Sequence, residues 1–349
     1  MNNQRNQYLD IIKACACVMV VYLHSSNLFR YAQTSNLVPA LSRLSQCGVP
    51  IFFAVSGYLS VSLRDRSYFE TMKKKLKSLI IPFIIWNFIY LLFEIIGHCI
   101  MPAAFEDITG CTLKEYILNL FGIPFIQPPI YGPLWFVREL VVLFALYPII
   151  VLCVKHLPIF VLGFCLLLLQ LGNMPMLYEN GYFLKNSLPF FVLGLWSGFN
   201  QNNERNEKFT KFCVKKEVVA GTALIAIVLS YMNKLYYDNN IVQSFLYFLS
   251  IFMFFPLIFY YGEFVDKTNG RLLKLFLIIS EFSFMIFVLH GKILTIIQIV
   301  CTRIITQNSA ILLAEYIIMP IVVITIVIFI SLILSKKVSG IYLFFTGGR

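Results

Sequence analysis

Residues 8–24 read Tyr8-Leu-Asp-Ile-Ile-Lys-Ala-Cys-Ala-Cys-Val-Met-Val-Val-Tyr-Leu-His24, and the apolar run continues to about residue 28. That is enough chain to cross a bilayer as a helix, which takes roughly 17–25 residues. Ionisable side chains inside such a segment are expensive and are therefore functional candidates. Lys13 and His24 are spaced as Lys-x10-His, almost three helical turns, so they share one face roughly 16 Å apart along the axis. Asp10, three residues before Lys13, joins that face. One stripe carries a carboxylate and an ammonium near one end and an imidazole near the other.

The rest of the chain has the same character. Of its 349 residues, 59% are hydrophobic, 16% aromatic and only 13% charged, and the mean hydropathy is +0.80. Soluble domains run at about 45–50% apolar and about 25% charged. The fold class expected is therefore an all-α polytopic membrane protein. Period-2 alternation in segments of about ten residues is missing, which disfavours a β-barrel. Asp10 and Lys13 interrupt the place where the apolar part of a cleavable signal would lie.

Apolar length and polar breaks predict ten transmembrane helices in one bundle, near 8–28, 47–63, 79–98, 134–153, 157–172, 183–199, 217–232, 243–262, 282–305 and 311–335. The fifth and seventh are short. Residues 271–281 read either as an interfacial helix or as the start of the ninth span. The Lys and Arg residues sort by side when both termini are cytoplasmic. Arg5, the segment Arg64 to Lys77, Lys155, the segment Arg205 to Lys216, Lys267, Arg271, Lys274, Lys336, Lys337 and Arg349 then fall inside. Only Arg30, Arg43, Lys114, Lys185, Lys234 and Arg303 fall outside. The net charge of +11 is mostly this bias and not a nucleic-acid footprint. With no loop long enough for a soluble domain, residues 1–349 read as a single transmembrane domain. The longest outside loop, about 99–133, carries Glu106, Asp107 and Glu115 and ends in a Pro/Gly-rich stretch. It reads as cover for an acceptor site or as a structural cap.

The nine cysteines are not a disulfide framework: they lie mostly in or beside spans, where a thiol is a small apolar group, and a pairing of Cys99 with Cys111 outside the membrane is the disfavoured alternative. The four histidines are too scattered for metal ligation, and no phosphate-cradling glycine motif occurs.

Together these residues resemble the acyltransferase-3 family of integral membrane acyltransferases. The first-helix signature is a basic residue, ten residues, then histidine; here Lys13 stands where Arg is commoner. Further matches are Pro50-Ile-Phe-Phe-Ala-Val-Ser-Gly-Tyr-Leu59, the basic run Lys73-Lys-Lys-Leu-Lys77 ahead of Ile81-Pro-Phe83, Leu134-Trp-Phe-Val-Arg138, Phe190-Phe-Val-Leu-Gly194 and Ser283-Phe-Met-Ile-Phe-Val-Leu-His290. They occur in the family's order and cover nearly the whole chain. The resemblance implies transfer of an acyl group, expected to be acetyl, from cytoplasmic acyl-CoA to a hydroxyl of a cell-surface glycan or lipid-linked saccharide, in a bacterial plasma membrane. No metal is implied.

The chemistry supports that implication independently. An alcohol attacking a thioester must lose a proton, and imidazole is the usual base near neutral pH. His24 is the candidate base, with Lys13 and Asp10 beside it on the stripe. Lys13, Lys73, Lys74 and Lys77 are candidates for the donor's phosphates. Ser56, Trp135, Arg138, Glu139 and His290 are candidates for the acceptor side. Each has a plainer reading: a hydrogen bond between helices for His24, pairing with Asp10 or snorkelling for Lys13, a local ion pair for Arg138, and close helix packing at Ser56-Gly57. The cationic loop 64–78 also reads as topology signal and anionic-lipid contact. His290 and Lys292 do not face the same way. A transporter or glycan exporter would use the same stripe, although transporters often show paired repeats and none is evident.

Overall fold

The computed structural model describes residues 7–28, 43–63, 67–100, 129–171, 184, 186–201, 203–235, 240–268, 270–301 and 309–348. Arg5, Arg30, Arg64, Arg66, Glu106, Asp107, Cys111, Lys114, Glu115, Lys185, Arg303 and Arg349 lie outside the described residues. Among the described residues every regular element is a helix. In chain order they are α1 (Gln7–Leu28), α2 (Gly48–Ser60), α3 (Tyr68–Lys75), α4 (Ile81–Ile100), α5 (Trp135–Ala145), α6 (Tyr147–His156), α7 (Ile159–Leu171) and α8 (Leu188–Phe199). There follow α9 (Glu204–Cys213), α10 (Lys216–Leu235), α11 (Asn240–Lys267), α12 (Arg271–Glu281), α13 (Ser283–Cys301), α14 (Ser309–Lys337) and α15 (Ser339–Thr346).

Among the described residues, six stretches are long and apolar enough to cross a membrane: Gln7–Ser25, Arg43–Leu63, Tyr68–Ile100, Lys216–Asn233, Ile241–Lys267 and Ala314–Lys337. Two bent pairs raise this to eight if each counts as one span: Gly132–Ala145 with Tyr147–His156 at 65°, and Arg271–Glu281 with Ser283–Ile297 at 79°. The other two expected spans correspond to α7 and α8, of 13 and 12 residues, short of the roughly 17 that a straight crossing needs. The protein is a multi-pass, all-helical membrane protein.

The chain forms two compact units. The first comprises Met1–Val61, Leu157–Gly172 and Pro189–Phe329; the second comprises Ser62–His156, Asn173–Leu188 and Ile330–Arg349. In the first, α1 is the enclosed element. Ile11, Ile12, Ala14, Cys15, Ala16, Cys17, Val20 and Val21 are all buried, and α1 packs against α2, α11, α12 and α13. Its run of small residues lets neighbours close in, as expected where helices associate in lipid by backbone approach. The tightest approach is between α2 and α8. A Cβ on Gly57 would lie 2.0 Å from the Phe191 carbonyl oxygen, and one on Gly194 would lie 1.8 Å from that of Ala54. Each glycine thus admits the other helix's backbone, so the packing reading of Ser56-Gly57 has a geometric basis. On α10, by contrast, Leu224, Ile225, Ile227, Val228 and Tyr231 are exposed, as suits a lipid-facing surface.

The second unit corrects the reading of 64–78 as a loop. From Tyr68 the chain is helical, and α3 passes through a π-helical segment, Leu76–Ile80, into α4. Lysines are good helix formers, and neither Gly nor Pro occurs between Tyr68 and Pro82. Pro82 has no N–H for the carbonyl of Ser78 four residues earlier, and its ring would crowd that carbonyl in a regular α-helix. The widened turn falls at that place. Gly347, with φ +70°, reaches the same carbonyl, where a Cβ would sit 2.6 Å from the Ser78 oxygen. The α15 segment is held there by the Trp86 Nε1 hydrogen bond to the Phe345 carbonyl, 3.0 Å. Tyr131, in the Pro/Gly-rich stretch expected to cap or cover, is buried and stacks on Tyr90 at 3.8 Å. Its N–H donates to Asn87 Oδ1 at 3.3 Å, so this residue has a structural role.

Candidate functional site

The stripe on α1 meets polar partners along its length, all within the first unit. At its N-terminal end Lys13 Nζ lies 2.5 Å from Asp10 Oδ1. Asp10 is buried, whereas the Lys13 side chain keeps 28% of its surface exposed. The Ser280 hydroxyl, on the last turn of α12, donates to the same Asp10 oxygen at 3.2 Å. The carboxylate is therefore paired and hydrogen-bonded, as a buried charge must be. Tyr8 donates its hydroxyl to the Phe259 carbonyl at 3.3 Å, fixing the same end to α11. In the middle of the helix the Cys17 thiol points at the Ser283 carbonyl, 3.9 Å away.

Toward the C-terminal end His24 meets His290 of α13, ring centroids 4.9 Å apart and planes tilted by 54°. His24 is half-buried and His290 fully buried. The register explains the meeting. The seven-residue step from Cys17 to His24 is matched by the seven-residue step from Ser283 to His290, so α1 and α13 run alongside with one register, as a seven-residue repeat requires. The bend of 79° between α12 and α13 lets α12 close the far end of the stripe.

His290 was read from the sequence only as a substrate-side candidate, and its pairing with His24 was missed. The signal was available in the two seven-residue steps. Ser280 was missed altogether, because residues 271–281 had two open readings. Lys292, two residues beyond His290, lies about 200° round the helix and so looks elsewhere.

The lysine run expected to serve the donor lies in the second unit. Lys74 and Lys77 line a hollow of about 300 Å³ together with Leu63, Thr71, Lys75, Ser78 and Gly347. Lys75 also places its Nζ 4.0 Å over the Phe144 ring; Lys73 is exposed and is not part of the lining. Trp135 opens α5 half-buried, and Arg138 is half-buried one turn on. Glu139 is buried, with Oε2 lacking a hydrogen-bond partner. Neighbours on a helix point about 100° apart, so Arg138 and Glu139 face different surroundings. Ser56 is half-buried on α2. Among the described residues no group of three or more His, Cys, Asp or Glu could hold a metal ion.

Comparison with known proteins agrees with the family resemblance. A family model described as an acyltransferase domain matches residues 6–336. The succinoglycan biosynthesis protein ExoH of Rhizobium meliloti (strain 1021) is 29% identical over 192 residues, 54% of this chain and 49% of that protein. The match thus spans about half of the relative's length. No solved structure matches.

Proposed function

The chain belongs to the acyltransferase-3 family of integral membrane acyltransferases, and from that premise we propose that it O-acylates a glycan with His24 as general base. The donor is cytoplasmic acyl-CoA, with acetyl as the acyl group, and the acceptor is a hydroxyl of an extracytoplasmic glycan or lipid-linked saccharide. Residues 1–349 act as one domain crossing a bacterial plasma membrane ten times, with both termini in the cytoplasm.

The observation that carries this reading is the meeting of half-buried His24 with buried His290 on a stripe whose other end holds Asp10 and Lys13. A basic imidazole lone pair takes the hydroxyl proton as the oxygen attacks the thioester carbonyl. The C–S bond breaks, and the proton passes from His24 to the departing thiolate. An ester and free CoA result. CoA is too highly charged to enter the apolar core, but its pantetheine arm is narrow. Lys13 lies roughly 16 Å along the helix from His24, a span that a narrow arm bridges. The hollow beside Lys74, Lys75, Lys77 and Ser78 supports a phosphate-binding role for the lysine run, because ammonium groups complement phosphate charge. The relative's name, which ties it to succinoglycan biosynthesis, supports a glycan acceptor.

The test is direct. Purified protein given acetyl-CoA and a surface-glycan or lipid-linked acceptor should release CoA thiol and add one acetyl ester per turnover. Glycan movement across vesicles with no CoA release would replace the transferase reading by an exporter.

A further inference from the structure

His290 Nδ1 lies 2.9 Å from the Ile286 carbonyl oxygen, one turn earlier on α13. A carbonyl only accepts, so Nδ1 carries the proton of this contact. In the neutral ring the other nitrogen, Nε2, is then a bare acceptor. Nε2 is buried and has no hydrogen-bond partner, in a residue with 0% exposure. Leaving such a group unsatisfied costs about 1–3 kcal/mol. The His24 ring is 4.9 Å away, centroid to centroid. The χ2 torsion of histidine is broad, and at this separation a turn of the His24 ring brings one of its nitrogens into hydrogen-bond reach of Nε2.

We propose that His290 is a positioning residue for His24. Its Nε2 accepts a ring N–H from His24 and so fixes which His24 nitrogen keeps its lone pair for the acceptor hydroxyl. This rests on the transferase reading of His24 given above. The logic is that of a base oriented by a third group, with a neutral imidazole where soluble enzymes use a carboxylate. A neutral orienter suits a membrane interior, where a second buried charge is costly. During transfer the acceptor proton moves to the free His24 nitrogen, the oxygen–carbonyl bond forms and the C–S bond breaks. The same proton then leaves with the thiolate. The His24 N–H to His290 contact persists through these steps, so the transient imidazolium is hydrogen-bonded on its inner side.

Two substitutions separate positioning from packing. His290→Leu fills the site without an acceptor, whereas His290→Gln brings a carbonyl oxygen near the place of Nε2. His290→Leu should lower kcat about a hundredfold, within the usual range of general-base effects, and leave KM for both substrates little changed. His290→Gln should recover about tenfold of that loss. Equal kcat in the two variants, or a loss carried by KM, overturns the proposal. If His290→Leu does not insert, the wild-type protein decides. The chain has four histidines, so ring-nitrogen resonances of isotope-labelled histidine are few enough to assign. His290 should be protonated at Nδ1 with Nε2 accepting a hydrogen bond; protonation at Nε2 overturns the proposal. Full turnover by His24→Ala would remove His24 as the base, and with it the reading on which this role rests. An inactive His24→Ala beside a fully active His290→Leu would remove only the positioning role.

Discussion

The two ends of the α1 stripe are built on opposite principles. At the Asp10 end a buried carboxylate has a lysine at 2.5 Å and a serine hydroxyl at 3.2 Å. Both contacts are internal, and Lys13 reaches partly out. At the His24 end two imidazoles meet, and His290 keeps a bare buried acceptor. A satisfied polar cluster holds helices in place; an unsatisfied one retains capacity for a substrate. The stripe thus combines, on one helix, an anchored end and the end proposed to be reactive, with α12 and α13 packed against them.

Substitutions at the two ends should differ in kind. The largest effect is expected for His24→Ala, which should cut acyl transfer by about 10²–10⁴-fold in protein that still inserts and melts normally. A normally folded, fully active variant would erase the contrast between the ends. Lys13→Met comes next. It takes the lysine from a buried carboxylate that Ser280 also contacts, and removing one partner of a buried pair destabilises more than removing both. Its melting temperature should therefore fall below that of Asp10→Asn/Lys13→Met. Lys13→Arg, which keeps the charge, should retain most donor use. A double variant less stable than Lys13→Met would show that the pair is not the anchor.

A smaller effect is expected at the lysines proposed to hold the donor. Lys74→Gln with Lys77→Gln should raise KM for acyl-CoA about tenfold, since each charge-assisted hydrogen bond contributes about 1.5–3 kcal/mol when buried and less at an exposed lysine. The acceptor KM should not move; a change there would place these lysines outside donor binding. The smallest effect belongs to Ser280→Ala, about 1 kcal/mol of stability for one hydrogen bond, measured by denaturation, with kcat unchanged.

How much of this was legible in the sequence follows from periodicity. The stripe itself was readable because Asp10, Lys13 and His24 repeat at helical spacing within one uninterrupted segment. Which neighbour faced it was not, because α13 starts after a 79° bend that resets its rotation. His290 was for that reason readable only as a substrate-side candidate. The lysine run was legible as charge but not as helix, since the consequence of Pro82 appears four residues upstream, at Ser78. Glycine-mediated approach of α2 to α8 was visible only as small residues in two motifs; the partner carbonyls of Phe191 and Ala54 belong to the tertiary structure.

The central claim is that donor and acceptor use opposite ends of one helix, and sidedness tests it most directly. In sealed vesicles of known orientation, acyl-CoA is supplied at the face bearing Lys74 and Lys77 and the glycan acceptor at the other. Ester formation on the far acceptor, with no free acyl-CoA crossing, is the predicted result. Activity only when both substrates share one face would contradict it.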